Sequence, residues 1–121
     1  MRVLVTGGRD FKNTDWLWSV LDKYSIHHLI TGGATGADQA AQAWAIKHNI
    51  PYSVYVPDWK KDGTAAGPIR NQVMLDASRP DLVLAFPGGR GTADMVRRAD
   101  FQNITVKRNS TVEYYHWLNA K

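Results

Sequence analysis

The chain has 121 residues, 44% of them apolar and 21% charged, which is material for one packed core and not the composition of a disordered chain. It has no cysteine, so a disulfide framework, a thiolate nucleophile and a Cys-based metal site are all excluded. Fifteen Lys and Arg against eleven Asp and Glu leave a net charge of +4, which favours anionic partners over cationic ones. No apolar run approaches the roughly 20 residues of a membrane span, and no secretory leader pattern stands at the start, so the expected location is cytoplasmic and no membrane partner is expected.

In chain order, an apolar strand at about 2–6 runs into Gly7-Gly8. A helix at about 14–25 follows, with Leu17, Val20, Leu21 and Tyr24 at i, i+3, i+4, i+7 spacing and Asn13 or Thr14 as its cap. A strand at about 28–31 meets Gly32-Gly33, and a helix at about 37–48 offers a narrow face of Ala40, Ala41, Trp44, Ala45 and His48. A third strand at 52–56 leads into a loop at 57–67, and a helix starts at Pro68, a favoured first helical position. The strand at 81–86 is almost wholly apolar, as a strand buried on both faces must be, and it ends in Pro87-Gly88-Gly89. A helix at about 92–102 capped by Thr92 and a fifth strand at 104–106 follow. Ser110 and Glu113 read as a capping box opening a short helix at about 111–119.

This alternation predicts an α/β fold. It has about five mostly parallel strands, helices on both faces, and a crevice at the carboxyl ends of the strands where strand order reverses. The whole of 1–121 reads as one domain, with its core at about 2–107.

Three strand-to-glycine turns are the chemical signal. A strand feeding a glycine turn that opens a helix aims free backbone N–H groups and a positive helix end at one place, which suits phosphate. The first turn, Gly7-Gly8-Arg9-Asp10, adds a planar cation and a carboxylate; Asp10 either accepts from a ligand hydroxyl or holds Arg9. In the second, Gly32, Gly33, Ala34 and Gly36 keep a helix entrance free of bulk, and Asp38 serves either the helix dipole or a ligand. The third, Pro87-Gly88-Gly89-Arg90-Gly91-Thr92, offers an anion nest and a hydroxyl. None of these is the dinucleotide fingerprint or the Walker pattern. Between the second and third turns lie Trp59, which either stacks on a base or covers the core, and Gly67, Arg70 and Asn71. Arg70, placed in a first helical turn, calls for an anion to offset it. Arg97 and Arg98 read as a solvated helix face, and Tyr114, Tyr115, His116 and Trp117 as packing on the sheet edge.

In combination, GGRDF, TGGATGAD, DW…GTAAGPIRNQVML and PGGRGTADMV resemble the YspA/YpsA-related branch of the SLOG superfamily, over about residues 2–107. The resemblance implies a Rossmann-like three-layer sandwich. It also implies a nucleotide or nucleotide-derived ligand, of an ADP-ribose or NAD-like kind, as the small-molecule partner. Related LOG enzymes cleave nucleoside monophosphates with an Arg in R-K-x-x-M and a Glu in P-G-G-x-G-T-x-x-E. Here Arg70-Asn71-Gln72-Val73-Met74 keeps the Arg, while Met95 stands at the Glu position. The leading reading is therefore a sensor, carrier or sequestering protein. A nucleotide-cleaving enzyme using Arg70 with Asp10 or Asp38 is the alternative, and single-stranded nucleic-acid binding a third. No resident cofactor or metal is expected, and a homo-oligomer is compatible with the sequence.

Overall fold

The computed structural model describes residues 1–121. Five strands, β1 (Arg2–Thr6), β2 (His28–Thr31), β3 (Tyr52–Val54), β4 (Leu82–Ala85) and β5 (Thr105–Arg108), form one all-parallel sheet in the order β3-β2-β1-β4-β5. The sheet is a Rossmann-like α/β sandwich. β1 pairs with β2 through Val3 opposite Leu29 and with β4 through Val5 opposite Leu84, so strand order reverses across the β1–β4 pair. Loops leaving the carboxyl ends of those two strands diverge to opposite faces and open a crevice there.

Alternate strand residues sort into two cores, as the two-residue period of a strand requires. Val3, Val5, Leu29, Leu82 and Leu84 point to one face and meet α1 (Thr14–Leu21) and α2 (Ala37–Lys47) through Leu17, Leu21, Ala41 and Trp44. Leu4, Ile30 and Val83 point to the other and meet α4 (Ala66–Ser78) and α5 (Arg90–Phe101) through Met74, Leu75, Met95 and Ala99. Each fully buried Leu, Ile or Val contributes roughly 1.5–3 kcal/mol of apolar burial, so both layers are held firmly to the sheet. Small Ala40, Ala41 and Ala45 let α2 approach closely, as their spacing suggested.

Several boundaries differ from the sequence expectation. The stretch 57–67 is not a loop throughout: it carries a short helix α3 (Trp59–Asp62) and a 3-10 turn (Gly63–Ala65), and α4 begins at Ala66 with Pro68 inside its first turn. Asp58 starts α3 by accepting from the Lys61 N–H at 3.1 Å. Arg70 therefore sits in the second turn of α4, beyond the reach of the helix-end dipole that its placement had seemed to oppose. α5 begins at Arg90 with Gly89 as its cap residue, so Thr92 is helical and caps nothing. Asn13 precedes α1 without a side-chain cap, whereas Ser110 does cap α6 (Thr111–Asn119), accepting from the Glu113 N–H at 3.3 Å. The α6 aromatics pack on the α1 layer rather than the sheet edge: Tyr114 lies 5.3 Å from Trp16, and Tyr115 stays exposed. No helix is long and apolar enough to cross a membrane.

Candidate functional site

The three glycine turns converge at the carboxyl end of the sheet and are bonded to one another. The Gly8 N–H donates to Pro87 O at 2.9 Å, which joins the first turn to the third. Gly8 O in turn accepts from the Ala37 N–H at 3.2 Å, and the Thr35 hydroxyl donates to Arg9 O at 3.1 Å, which joins the first to the second. Gly36 takes φ +77, and a Cβ there would overlap the backbone of Gly8 and Arg9. A Cβ on Gly88 would overlap the Thr92 hydroxyl and stand 2.7 Å from the Gly8 nitrogen. Gly7, Gly8, Gly36, Pro87 and Gly88 thus form the weld beneath the site rather than its lining.

Above that weld opens a cleft of about 890 Å³, lined by Arg9 and Asp10, by Gly32, Gly33, Ala34 and Thr35, by Gly89–Thr92, and roofed by Trp59, Gly67 and Arg70. Its size lies within the range of small-molecule sites. Trp59 is 57% exposed and belongs to no core cluster, so it does not cover the core. Arg9, Asp10 and Arg90 make no ion pair, so Asp10 does not hold Arg9.

The third turn is open. Added Cβ atoms on Gly89 or Gly91 would meet nothing within 4 Å. The N–H groups of Gly89, Arg90, Gly91 and Thr92 donate to nothing in the protein, since the first bond of α5 runs from the Ala93 N–H to Gly89 O. Four unpaired donors at one helix N-terminus, beside the free Arg90 guanidinium, form a strong local preference for negative charge.

The second turn lines the cleft but is partly occupied by internal partners. Arg70 Nη1 donates to Gly32 O at 2.5 Å and to Tyr55 O at 3.1 Å, and its Nε donates to Asn71 Oδ1 at 3.0 Å. Asp38 lies below the cleft lining, 6% exposed, and accepts from the Ala34 N–H at 3.1 Å. Gly32 separates the two charges: a Cβ on it would stand 2.5 Å from Arg70 Nη1 and 3.2 Å from Asp38 Oδ2. Burial pushes the Asp38 carboxyl up to about 6, against the pull of the Ala34 N–H, the Arg70 charge and the Gly32 N–H. Burial likewise lowers the Arg70 guanidinium, with Asp38 opposing.

Sequence reasoning missed Asp94. It lines the cleft and accepts from Asn71 Nδ2 at 2.9 Å, Arg98 Nε at 2.8 Å and Arg97 Nη2 at 2.9 Å. Burial works to raise its pKa, but the bonds from Arg98 and Asn71 and the charges of Arg98 and Arg97 hold it below the usual carboxylate range. Arg97 and Arg98 are therefore not a purely solvated face; Arg98 also donates to Gln72 Oε1 at 3.0 Å and ties α5 to α4. Asn71 is buried and bonded to both Arg70 and Asp94, so it positions the two rather than presenting a free amide. Met95 is fully buried in the core beneath α4, and a Glu at that position would bury a carboxylate among Leu4, Ile30 and Met74. Helical spacing could not have found it: residues 94 and 95 both lie about one turn after Gly91 and one turn before Arg98, and only packing puts Asp94 on the cleft and Met95 in the core.

The fold defines a Rossmann-like α/β protein with a cleft lined by parts of all three glycine turns at the carboxyl edge of its sheet. Residues 1–61 match the model of the YspA, cpYpsA-related SLOG family, and the chain belongs to that family. The match takes in the first two glycine turns. Over 118 residues the chain is 36% identical to the Gene 61 protein of Mycobacterium phage D29, with 87% of this chain and 93% of that protein covered. Membership supports a nucleotide-related ligand-binding role.

Proposed function

We propose that the cleft binds a nucleotide or nucleotide-derived molecule of an ADP-ribose or NAD-like kind, and that the protein acts as a sensor, carrier or sequestering protein. The observation that carries this reading is the set of four unpaired N–H groups from Gly89 to Thr92, opening onto a cleft with unpaired Arg9 and Arg90. Phosphate sits on those donors. The exposed face of Trp59 across the cleft takes a base, a contact worth about 1–3 kcal/mol per stacked ring. Asp10, free of any protein partner, is available to accept from a ribose hydroxyl. No carboxylate of the cleft is set beside a partner acid or base: Asp94 is held by three donors, Asp10 has no partner, and Asp38 lies beneath the lining. That favours binding over cleavage.

The test is mass spectrometry of small molecules released on denaturing the purified protein, with calorimetry of AMP, ADP-ribose and NAD. A recovered nucleotide derivative is expected, and Arg90→Glu, at an exposed position with no partner, should lower affinity at least about tenfold while leaving the fold intact. Absence of binding by every probe, together with no released nucleotide, overturns the reading. Free adenine accumulating from AMP over repeated turnovers would move the protein to the enzyme alternative.

A further inference from the structure

On the far side of the α5 N-terminus lies a second groove, of about 540 Å³, that shares Gly89 and Thr92 with the main cleft. Its floor is Phe86, Pro87 and Ala85 at the end of β4, and its α5 wall is Ala93 and Val96. Arg108, paired with Asp100 at 2.5 Å, closes the outer rim. Gly89 and Thr92 line both cavities, so two of the unpaired N–H groups of the third turn belong to residues that border each.

Asn109 marks this groove as built for a polar-edged guest. It lines the groove and is 8% exposed, yet its carboxamide makes one long hydrogen bond, from Nδ2 to Lys107 O at 3.4 Å. Its Oδ1 accepts from no donor in the protein. The amide oxygen is not sealed in the core, so it is open to the groove and available to accept from a guest. The backbone N–H of the same residue donates to Ala85 O at 2.8 Å, which fixes the side chain at the groove's end. An apolar floor with an amide at one end suits a flat heterocyclic ring with a hydrogen-bonding edge.

Resting on the nucleotide reading above, we infer that this groove receives the second base of a dinucleotide. Its diphosphate crosses the Gly89–Thr92 donors, and its first base lies in the main cleft against Trp59. The ligand class is then two nucleosides joined through a diphosphate, and a nucleoside monophosphate fills only half of the site. Neither cavity alone spans both sides of α5, and the shared residues supply the bridge.

Calorimetry with AMP, ADP, ADP-ribose and NAD on the wild-type protein, Ala93→Trp and Asn109→Ala tests this. Ala93 is exposed on α5, so tryptophan there fills the groove without entering either core. NAD is expected to bind at least about tenfold more tightly than ADP-ribose, which lacks the second ring. Ala93→Trp should erase that advantage while leaving AMP and ADP within about twofold of wild type. Asn109→Ala should weaken NAD about fivefold, as loss of one ligand hydrogen bond does. NAD binding no tighter than ADP-ribose, or Ala93→Trp weakening all four probes alike, overturns the second-base assignment and leaves the nucleotide reading standing. Failure of all four to bind overturns both.

Discussion

The second and third glycine turns look alike in sequence and differ in what occupies them. Around Gly32–Gly36 protein groups occupy much of the turn: Arg70 covers Gly32 O, Asp38 takes the Ala34 N–H, and Gly36 is pressed under the first turn, although the N–H groups of Gly33, Thr35, Asp38 and Gln39 also find no acceptor. Around Gly89–Gly91 there is open space, and four N–H groups are unpaired. A glycine-rich βα turn therefore has two distinct uses. One permits backbone to touch backbone, so that three turns become a rigid unit. The other leaves donors uncovered for something that is not protein.

The largest expected effect tests that division directly. Gly36→Val combines a β-branched residue at φ +77 with overlap onto the Gly8 and Arg9 backbone. Strain of about 1–3 kcal/mol and overpacking of a similar size together remove much of a typical stability of 5–15 kcal/mol. Thermal denaturation should show a collapse of Tm or no folded protein. Gly89→Val, at φ −102 with nothing within 4 Å, should shift stability by less than about 1 kcal/mol. Comparable losses at both positions would break the comparison.

The sheet was legible in the sequence because five apolar runs alternate with helical periods, and a wholly apolar strand such as 82–85 can only be central. The convergence of the turns was legible for the same reason, since parallel strands put their carboxyl ends together. Which glycine served which purpose was not, because Gly36 and Gly89 are told apart by three-dimensional neighbours, not by spacing. The same holds for Arg70: its motif identified a cleft residue, but only the fold shows its guanidinium bonded to Gly32 and Tyr55. Asp94 was hidden by a motif aligned one residue away, at Met95, whose side chain belongs to the core.

Arg70→Ala sharpens the contrast next. It removes two bonds to carbonyls and one to Asn71, and leaves Asp38 without its nearest opposing charge. A loss of about 2–3 kcal/mol is expected, read by chemical denaturation, rather than a purely local loss of ligand affinity. Unchanged stability together with weaker ligand binding would return Arg70 to the open class of residues.

Asp38 supplies a pH signature of the filled turn. Its folded pKa of about 6 lies above the unfolded value of 3.8, so the unfolded chain holds fewer protons between those values. The unfavourable term is absent below about pH 4, grows as pH rises towards 6, and reaches about 2–3 kcal/mol above it. Asp38→Asn keeps an oxygen for the Ala34 N–H but carries no charge to bury. Denaturation midpoints of wild type should fall between pH 4 and 6 relative to the variant, with the two meeting at low pH. Parallel profiles across that window would remove Asp38 from the account.

The smallest effect on stability discriminates best for function. Gly91 is the second residue of α5, helical, with nothing near its missing Cβ. Glycine inside a helix costs about 0.5–1 kcal/mol against alanine, so Gly91→Ala should raise Tm by a few degrees. Nothing in the protein itself demands glycine there: Asn71 bonds to the Gly91 carbonyl, which alanine retains. If phosphate approaches the N–H groups of this turn, the added methyl stands in its path. The expected result is a more stable protein that binds AMP about tenfold more weakly, measured by paired melting and calorimetry. A gain in stability with unchanged affinity would mean that the open turn faces empty solvent, and the distinction between the two turns would then carry no functional weight.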